Sequence, residues 1–172
     1  PAAYKRFLIT ASGVSPRALP CKGNALVKVC GNEHHENGHT SEAIEDRIAM
    51  VDKRNRKMSA MRSEMRPPEQ YHADAAILLL GWGSTAGVIR EAVDMLRSSG
   101  RNIGAIHFCD LWPFPADKVT TLLSGSKRLV SVEQNSTAQF AQLLRQQTGI
   151  TVHDTILKYD GRPLYPHEIC AA

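Results

Sequence analysis

One segment carries most of the information about the architecture: residues 75–100, which read AAILLLGWGSTAGVIREAVDMLRSSG. Residues 75–80 are a solid apolar run, as in a strand that is buried on both faces. Two glycines interrupt the run, and a helix is then predicted over residues 85–98 because apolar side chains recur on one side of it. Gly100 would end that helix. A buried strand, a tight turn and an amphipathic helix in this order make one βα unit.

The same alternation continues to the end of the chain. We predict further strands at residues 103–108, 129–132 and 152–159, and helices at residues 116–123 and 137–148. Strands that read as apolar runs and are separated by helices indicate a mainly parallel sheet covered on both faces. The sequence therefore predicts a three-layer α/β domain over residues 73–172.

Residues 1–72 have a different character. Residues 4–10 are predicted as one strand, and residues 11–38 form a long irregular segment rich in Gly, Pro, Ser, Asn and His. Structureless segments of this length are uncommon inside an independent domain, so we expect this one to lie against another part of a larger protein. A helix then begins at Thr40 or Ser41, either of which can cap it, and ends before two consecutive prolines.

This helix carries an apolar stripe on an otherwise basic surface. The members of the stripe are Ile44, Ile48, Val51, Met58, Met61 and Met65. Because the stripe is thin, we expect the helix to connect two domains and to pack along another body. Residues 1–72 are thus interpreted as the end of a preceding domain, a loop and a connector helix.

Composition and charge are those of a soluble globular protein, with 42% hydrophobic and 22% charged residues. No apolar run approaches the ~20 residues of a membrane span, so we expect a cytoplasmic protein with no membrane partner. The net charge of +4 arises in residues 1–72, which hold 12 Lys and Arg against 8 Asp and Glu. We interpret this modest excess as a solvated helix face or a subunit contact, and expect no nucleic-acid partner. Because the chain begins at Pro1, we expect further sequence upstream of it.

The turn Gly81-Trp82-Gly83-Ser84-Thr85-Ala86 has the spacing G-x-G-x-x-A of dinucleotide-binding turns. Asp110 ends the next strand, where a ribose-binding carboxylate would lie. Trp82, however, is bulky for a turn that contacts a pyrophosphate. A structural βα turn is therefore the preferred interpretation, and a small Rossmann-type nicotinamide-binding protein that uses Gly81-Trp82-Gly83 is the alternative.

Three further clusters contain residue types that occur in binding sites. Cys21, Cys30, His34, His35 and His39 offer N and S ligands, but their spacing is not that of a structural zinc site, so we predict no metal ligand and reduced thiols. The hydroxyls of Ser12 and Ser15 beside Arg17 could hold a carboxylate or a phosphate, or form a capped turn with a surface arginine. The sequence Glu133-Gln134-Asn135 follows a strand, where ligands favour the sheet edge, but capping of the next helix by Asn135 or Ser136 explains it equally.

Several short motifs, in order over essentially the whole chain, resemble the α subunit of 2-oxoacid:ferredoxin oxidoreductases, nearest to the 2-oxoglutarate type (2-oxoglutarate synthase). They are residues 12–18 (SGVSPRA), 31–34 (GNEH), 38–40 (GHT), 50–54 (MVDKR), 81–85 (GWGST), 111–115 (LWPFP), 132–135 (VEQN) and 158–163 (KYDGRP). The chain departs from the family at His35, where an acid is usual, and near Cys21, where a glycine is usual.

The resemblance implies that this chain is the C-terminal part of such an α subunit, with a domain similar to the C-terminal domain of transketolase. The complete complex would convert a 2-oxoacid and coenzyme A to acyl-CoA and CO2, pass electrons to ferredoxin, and hold thiamine diphosphate, Mg and a [4Fe-4S] cluster. None of these cofactors is expected on this chain alone, and no catalytic residue is assigned to it. The implied partners are the remainder of the α subunit, a β subunit, a second αβ unit and ferredoxin. Ser12, Ser15 and Arg17 would then lie near the substrate or coenzyme A entrance.

Overall fold

The computed structural model describes residues 4–125 and 128–172. The chain divides into two compact units, Pro1–Glu64 and Met65–Ala172. The predicted domain boundary followed residue 72, whereas the structure groups residues 65–72 with the second unit. Within the described residues, no helix combines the length and the apolar character that a bilayer span requires.

The first unit consists of an irregular segment and one long helix, α1 (Ile44–Glu64). The helix starts a few residues later than predicted, but Ser41 still stabilises its beginning, because its hydroxyl accepts a hydrogen bond from the N–H of Ala43 and donates one to Asp46. The predicted strand over residues 4–10 is wrong. Instead of a neighbouring strand, the N–H groups of Phe7 and Ile9 donate to the backbone and the side chain of Glu36.

The predicted apolar stripe on α1 is exposed at three of its six positions, Ile44, Ile48 and Met61, and half-buried at the other three. Ile44 and Ile48 are 71% and 57% exposed, respectively. The buried side chains of α1 are instead Met50 and Lys53. Because first-unit contacts bury a different face, packing of the stripe along another body stays a prediction.

The second unit is built on a five-stranded sheet with the order β1-β3-β2-β4-β5. The strands are β1 (Glu69–Tyr71), β2 (Ile77–Trp82), β3 (Ile103–Phe108), β4 (Arg128–Glu133) and β5 (Asp154–Leu157). Strands β2 to β5 pair in parallel, and β1 pairs with β3 in antiparallel orientation. The helices are α2 (Ala86–Ser98), α3 (Ala116–Leu123), α4 (Gln139–Thr148) and α5 (Pro166–Ala171).

Helices cover both faces of this sheet and produce two apolar cores. On one face Leu78 and Phe108 pack with Phe114 of the β3–α3 connection and Phe140 of α4. On the other face β2, β3 and β4 pack with Ile89, Ala92 and Val93 of α2 and with Ile169 of α5. Because successive side chains of a strand point to opposite faces, a central strand that faces two cores must be apolar throughout. The predicted three-layer, mainly parallel α/β fold is thus confirmed, while the specific likeness to transketolase stays a prediction.

Candidate functional site

The first predicted site, in residues 12–17, is only partly assembled. The Ser15 hydroxyl donates to the carbonyl of Leu8 at 3.0 Å, and the Ser12 hydroxyl accepts from the N–H of Val14 at 3.3 Å. Both serines therefore stabilise the local turn. Arg17 is exposed and forms no hydrogen bond or ion pair with any described residue, so among these three side chains it is the one available to a ligand.

Arg17 lines a groove of about 420 Å³ in the first unit. Two more cations, Arg6 and Lys22, line the same groove, and its apolar wall includes Leu19 and Val27. Positive charge beside apolar surface is suited to an anion that carries a non-polar part. Ser12 and Ser15 are not among the residues that line this groove, and a joint role of the three residues at a substrate or coenzyme A entrance stays a prediction.

The irregular segment is attached to α1 through Glu33, whose side chain is 13% exposed. Arg54 holds both carboxylate oxygens at 2.8 and 3.0 Å, and Arg47 donates to one of them at 3.0 Å. Hydrogen bonds from Arg54, with a further one from Arg47, lower the pKa of Glu33 to about 2. The motif Gly31-Asn32-Glu33-His34 therefore has a structural use, because it fixes the loop to the helix.

The cysteines and histidines of this segment are not brought together. Cys30 contacts the carbonyls of Asn32 and Gly38, and His34 stacks on Phe7. His35 instead pairs with Asp46 at 2.9 Å. In the described part of the chain no three potential ligands of the first unit converge on one point.

The turn after β2 is packed tightly against α2 and leaves no room for a ligand at Gly81. A Cβ at Gly81 would lie 2.1 Å from the terminal methyl of Ile89, so only glycine lets α2 approach the strand this closely. Gly83 has φ +60°, a conformation that glycine adopts at low cost. Its carbonyl lies 3.0 Å from Nε2 of His107, a residue whose burial lowers the pKa of its imidazole.

Asp110 is not available to a ribose. Arg66 donates to it through the backbone N–H and through two guanidinium nitrogens, at 2.8 to 3.1 Å. The side-chain hydrogen bond with Arg66 is the main cause that lowers the pKa of Asp110 to about 2. The geometry therefore does not favour the nicotinamide alternative.

Glu133 at the end of β4 is fully buried. Its carboxylate accepts hydrogen bonds from the Ser131 hydroxyl, the Asn135 amide and the N–H groups of Phe140 and Ala141, at 2.7 to 3.0 Å. Asn135 also accepts from the N–H groups of residues 137 and 139. The N-cap position of α4 is Ala138, so neither Asn135 nor Ser136 is its N-cap. Asn135 nevertheless binds the first N–H of the helix, and Glu133 binds the next two.

A second groove lies at the carboxyl end of the parallel strands, where open α/β sheets bind ligands. Its volume is about 640 Å³, and Ser84, Gln134, Lys158 and Arg162 are among its polar lining residues. The Lys158 ammonium is bound by Glu168 and lies 3.7 Å from Asp160. The Arg162 side chain has no partner in the described chain, so the groove presents one uncompensated cation.

Comparison with known proteins places this architecture in one family. Residues 73–169 match the model of pyruvate:ferredoxin oxidoreductase core domain II. The chain therefore belongs to the 2-oxoacid:ferredoxin oxidoreductase family, as the resemblance predicted.

More particular relatives are α subunits. The chain is 37% identical to subunit alpha of 2-oxoacid:ferredoxin oxidoreductase 2 of Aeropyrum pernix, over 100% of this chain and 27% of the relative. It is 35% identical to subunit alpha of 2-oxoacid:ferredoxin oxidoreductase 1 of Sulfurisphaera tokodaii, over 96% of this chain and 26% of the relative. The chain thus spans about a quarter of the length of these relatives.

A solved structure is similar over nearly the whole chain. It is 2-oxoglutarate:ferredoxin oxidoreductase from Magnetococcus marinus with 2-oxoglutarate, coenzyme A and succinyl-CoA bound. The TM-score is 0.74 at 28% identity, and the match covers 99% of this chain and 30% of the other. Both units of the chain therefore have counterparts in this enzyme.

Proposed function

We propose that this chain is the C-terminal part of the α subunit of a thiamine-dependent 2-oxoacid:ferredoxin oxidoreductase. The complete enzyme would convert a 2-oxoacid, with 2-oxoglutarate the first candidate, and coenzyme A to acyl-CoA and CO2, with electrons passing to ferredoxin. The observation that carries the proposal is the structural match to the Magnetococcus marinus enzyme over 99% of the chain. A cytoplasmic location is part of the same proposal.

The cofactors of the complex are proposed to be held by its other parts. A [4Fe-4S] cluster needs four cysteine thiolates, whereas no two of the four free cysteines share a ligand cluster in the described chain. A magnesium site for thiamine diphosphate needs free oxygen ligands. The buried or half-buried carboxylates of the described chain are each bound by groups of this chain; they are Glu33, Glu36, Asp46, Asp110, Glu133 and Glu168. The residues present therefore do not fit these cofactors.

The role proposed for this piece is structural and subunit-contacting. Its partners would be the remainder of the α subunit, the β subunit and a second αβ unit, with ferredoxin as the electron acceptor of the complex. The exposed apolar side chains of α1 support this role. An exposed apolar stripe is costly in water and becomes favourable when another surface covers it.

Co-expression of the complete gene product with its β subunit tests the proposal. We expect a stable complex that reduces ferredoxin only when both 2-oxoglutarate and coenzyme A are present. Activity with another 2-oxoacid but not with 2-oxoglutarate would correct the substrate alone. A product that remains a monomer and shows no 2-oxoacid-dependent reduction would refute the proposal.

The Arg17 groove is proposed to contribute to anion binding near the substrate or coenzyme A entrance. Replacement Arg17→Ala should raise the apparent KM for one of these anions while the complex still assembles. Arg62→Ala is the matched control, because Arg62 is an exposed arginine of the same unit without a partner in the described chain. Equal kinetics of the two variants would show that Arg17 has no such part.

A further inference from the structure

A second cluster of chemically reactive side chains lies at the antiparallel edge of the sheet. The pairing of β1 with β3 places Glu69 opposite His107. Cys109 lies two residues after His107, and side chains two apart in an extended chain point to the same side. Its Sγ lies 3.8 Å from Oε1 of Glu69 and 3.8 Å from Nδ1 of His107. The three potential ligand atoms all lie within 4.8 Å of one another.

The imidazole of His107 is oriented by a hydrogen bond on its far side. Nε2 lies 3.0 Å from the carbonyl of Gly83, which can only accept, so Nε2 carries the proton. Nδ1 then keeps its lone pair, and that atom faces Cys109. A hydrogen bond from the second ring nitrogen to a backbone carbonyl is the usual support of a metal-binding histidine.

The carboxylate of Glu69 is supported in the same way. Arg90 donates to its Oε2 at 2.7 Å, while Oε1 is the oxygen that faces Cys109. One oxygen of Glu69 is therefore fixed by an outer partner, and the other is directed toward the cluster. Ligating carboxylates in proteins are held by such outer hydrogen bonds.

We propose that Glu69, His107 and Cys109 bind a divalent metal ion of the zinc class. Zinc bonds to N, O and S ligands of about 2.0 to 2.3 Å in a tetrahedron place ligand atoms roughly 3.5 Å apart. The two separations from Sγ, both 3.8 Å, are wider by a few tenths of an ångström, and the ligand atoms of Glu69 and His107 lie within 4.8 Å of each other. A mixed thiolate, imidazole and carboxylate set selects zinc-class ions over Mg and Ca, which prefer oxygen alone.

The site supplies three ligands and leaves one position open. Asp110 is the nearest further carboxylate in sequence, and both of its oxygens are occupied by Arg66. Glu69 and Cys109 are exposed, so the fourth ligand comes from water or from a group outside this chain. On binding, the Cys109 thiol passes its proton to solvent and bonds to the metal as a thiolate.

Titration of the full chain with Co²⁺ tests the site, since cobalt takes the place of zinc and shows a thiolate charge-transfer absorption. We expect this absorption to saturate at one equivalent of Co²⁺ and to disappear when Zn²⁺ is added. Cys109→Ser should abolish it, and Glu69→Gln should weaken Co²⁺ binding roughly tenfold or more. Both replaced residues are exposed, so the fold is expected to persist, and circular dichroism checks this.

Cys21→Ser is the control, because Cys21 is an exposed free thiol of the first unit. Its Co²⁺ absorption should equal that of the unmodified chain. The proposal is overturned if the unmodified chain shows no saturable absorption, if the absorption survives Cys109→Ser, or if it is lost in Cys21→Ser. The measurement needs neither a β subunit nor a 2-oxoacid, so its result is independent of the proposed oxidoreductase activity.

Discussion

Replacement Glu33→Gln should detach the irregular segment from α1. The folded-state pKa of Glu33 is about 2 and its ordinary value is 4.5, a difference equivalent to roughly 3 kcal/mol at full value. Arg47 and Arg54 are 67% and 41% exposed in their side chains, so solvent screening reduces the expected contribution to about 1–2 kcal/mol. At pH 7 the variant should lose that amount of stability in the first unit.

The sign of the pH dependence follows from the lowered pKa of Glu33. Its stabilisation is fully present above pH 4.5, the ordinary value, and is lost as the pH falls toward about 2. The unmodified chain and the Glu33→Gln variant should therefore differ at pH 7 and converge near pH 2. Hydrogen exchange of the α1 amides measures the local opening free energy at pH 7, and far-ultraviolet circular dichroism follows the helix into acid.

Glu42→Gln is the matched control, since Glu42 is exposed and has no partner among the described residues. It makes the same change of charge in the same unit and should leave the exchange of α1 unchanged. The reasoning is refuted if Glu33→Gln exchanges like Glu42→Gln at pH 7. A loss that persists undiminished at pH 2 would likewise contradict an ionic origin.

Three more replacements test the second unit by urea denaturation. Gly81→Ala should cost about 1–3 kcal/mol, because the new methyl would meet Ile89 at 2.1 Å. Glu133→Gln should cost about 1–3 kcal/mol, because an amide NH2 group would face donors in a buried site. Asp110→Asn should lower the free energy of unfolding at neutral pH. The difference in stability between this variant and the unmodified chain should shrink as the pH falls from 3.8 toward about 2, because the carboxylate of the unmodified chain becomes protonated there.

Each of these replacements has a control in the same unit. Gly87→Ala lies in α2 with open space around the new methyl and should stabilise the chain by up to about 1 kcal/mol. Ser136→Ala should have little effect, because the Ser136 side chain forms no cap in the described structure. Asp74→Asn removes an exposed carboxylate without a described partner and should leave the acid response unchanged. A control that behaves like its test variant would refute the corresponding explanation.

The sequence predicts most helices and strands of the second unit because each has its own local pattern of apolar residues. The strand over residues 103–108 and the helix over residues 116–123 agree with Ile103–Phe108 and Ala116–Leu123. The predicted strands at 129–132 and 152–159 shift to Arg128–Glu133 and Asp154–Leu157. The run AAILLL and the amphipathic stripe that follows it are sufficient to predict a strand and a helix. A strand buried on both faces is apolar at every position, whereas a helix buried on one side is apolar at every third or fourth position.

The wrongly predicted segments are those whose conformation depends on contacts with residues far away in the sequence. Strand β1 has three residues, is exposed on most positions and forms only because β3 provides a partner. The residues near Phe7 read as a strand by composition, yet their N–H groups find Glu36 instead. Short polar or mixed segments take their structure from tertiary context, which a local pattern does not contain.

The sites were harder to predict than the fold for the same reason. Ser12, Ser15 and Arg17 are close in sequence, but the two hydroxyls turn to the backbone and Arg17 alone faces a groove. The set of Glu69, His107 and Cys109 joins residues 40 apart through an unpredicted strand pair. For Glu133 the sequence contains only a weak indication of its role, an acidic residue at the end of an apolar strand. The helix N–H groups that it binds lie seven and eight residues later.

The four hydrogen bonds of Glu133 have a consequence for motion. The first N–H groups of a helix usually face water and exchange readily, because no carbonyl precedes them. In α4 the N–H groups of Phe140 and Ala141 end on a carboxylate that belongs to the adjacent strand. We therefore expect the amide protons of Phe140 and Ala141 to exchange more slowly than those at a helix end that faces water. Because the carboxylate of one β4 residue binds both N–H groups, these two helix amides should share the high protection of the central strands.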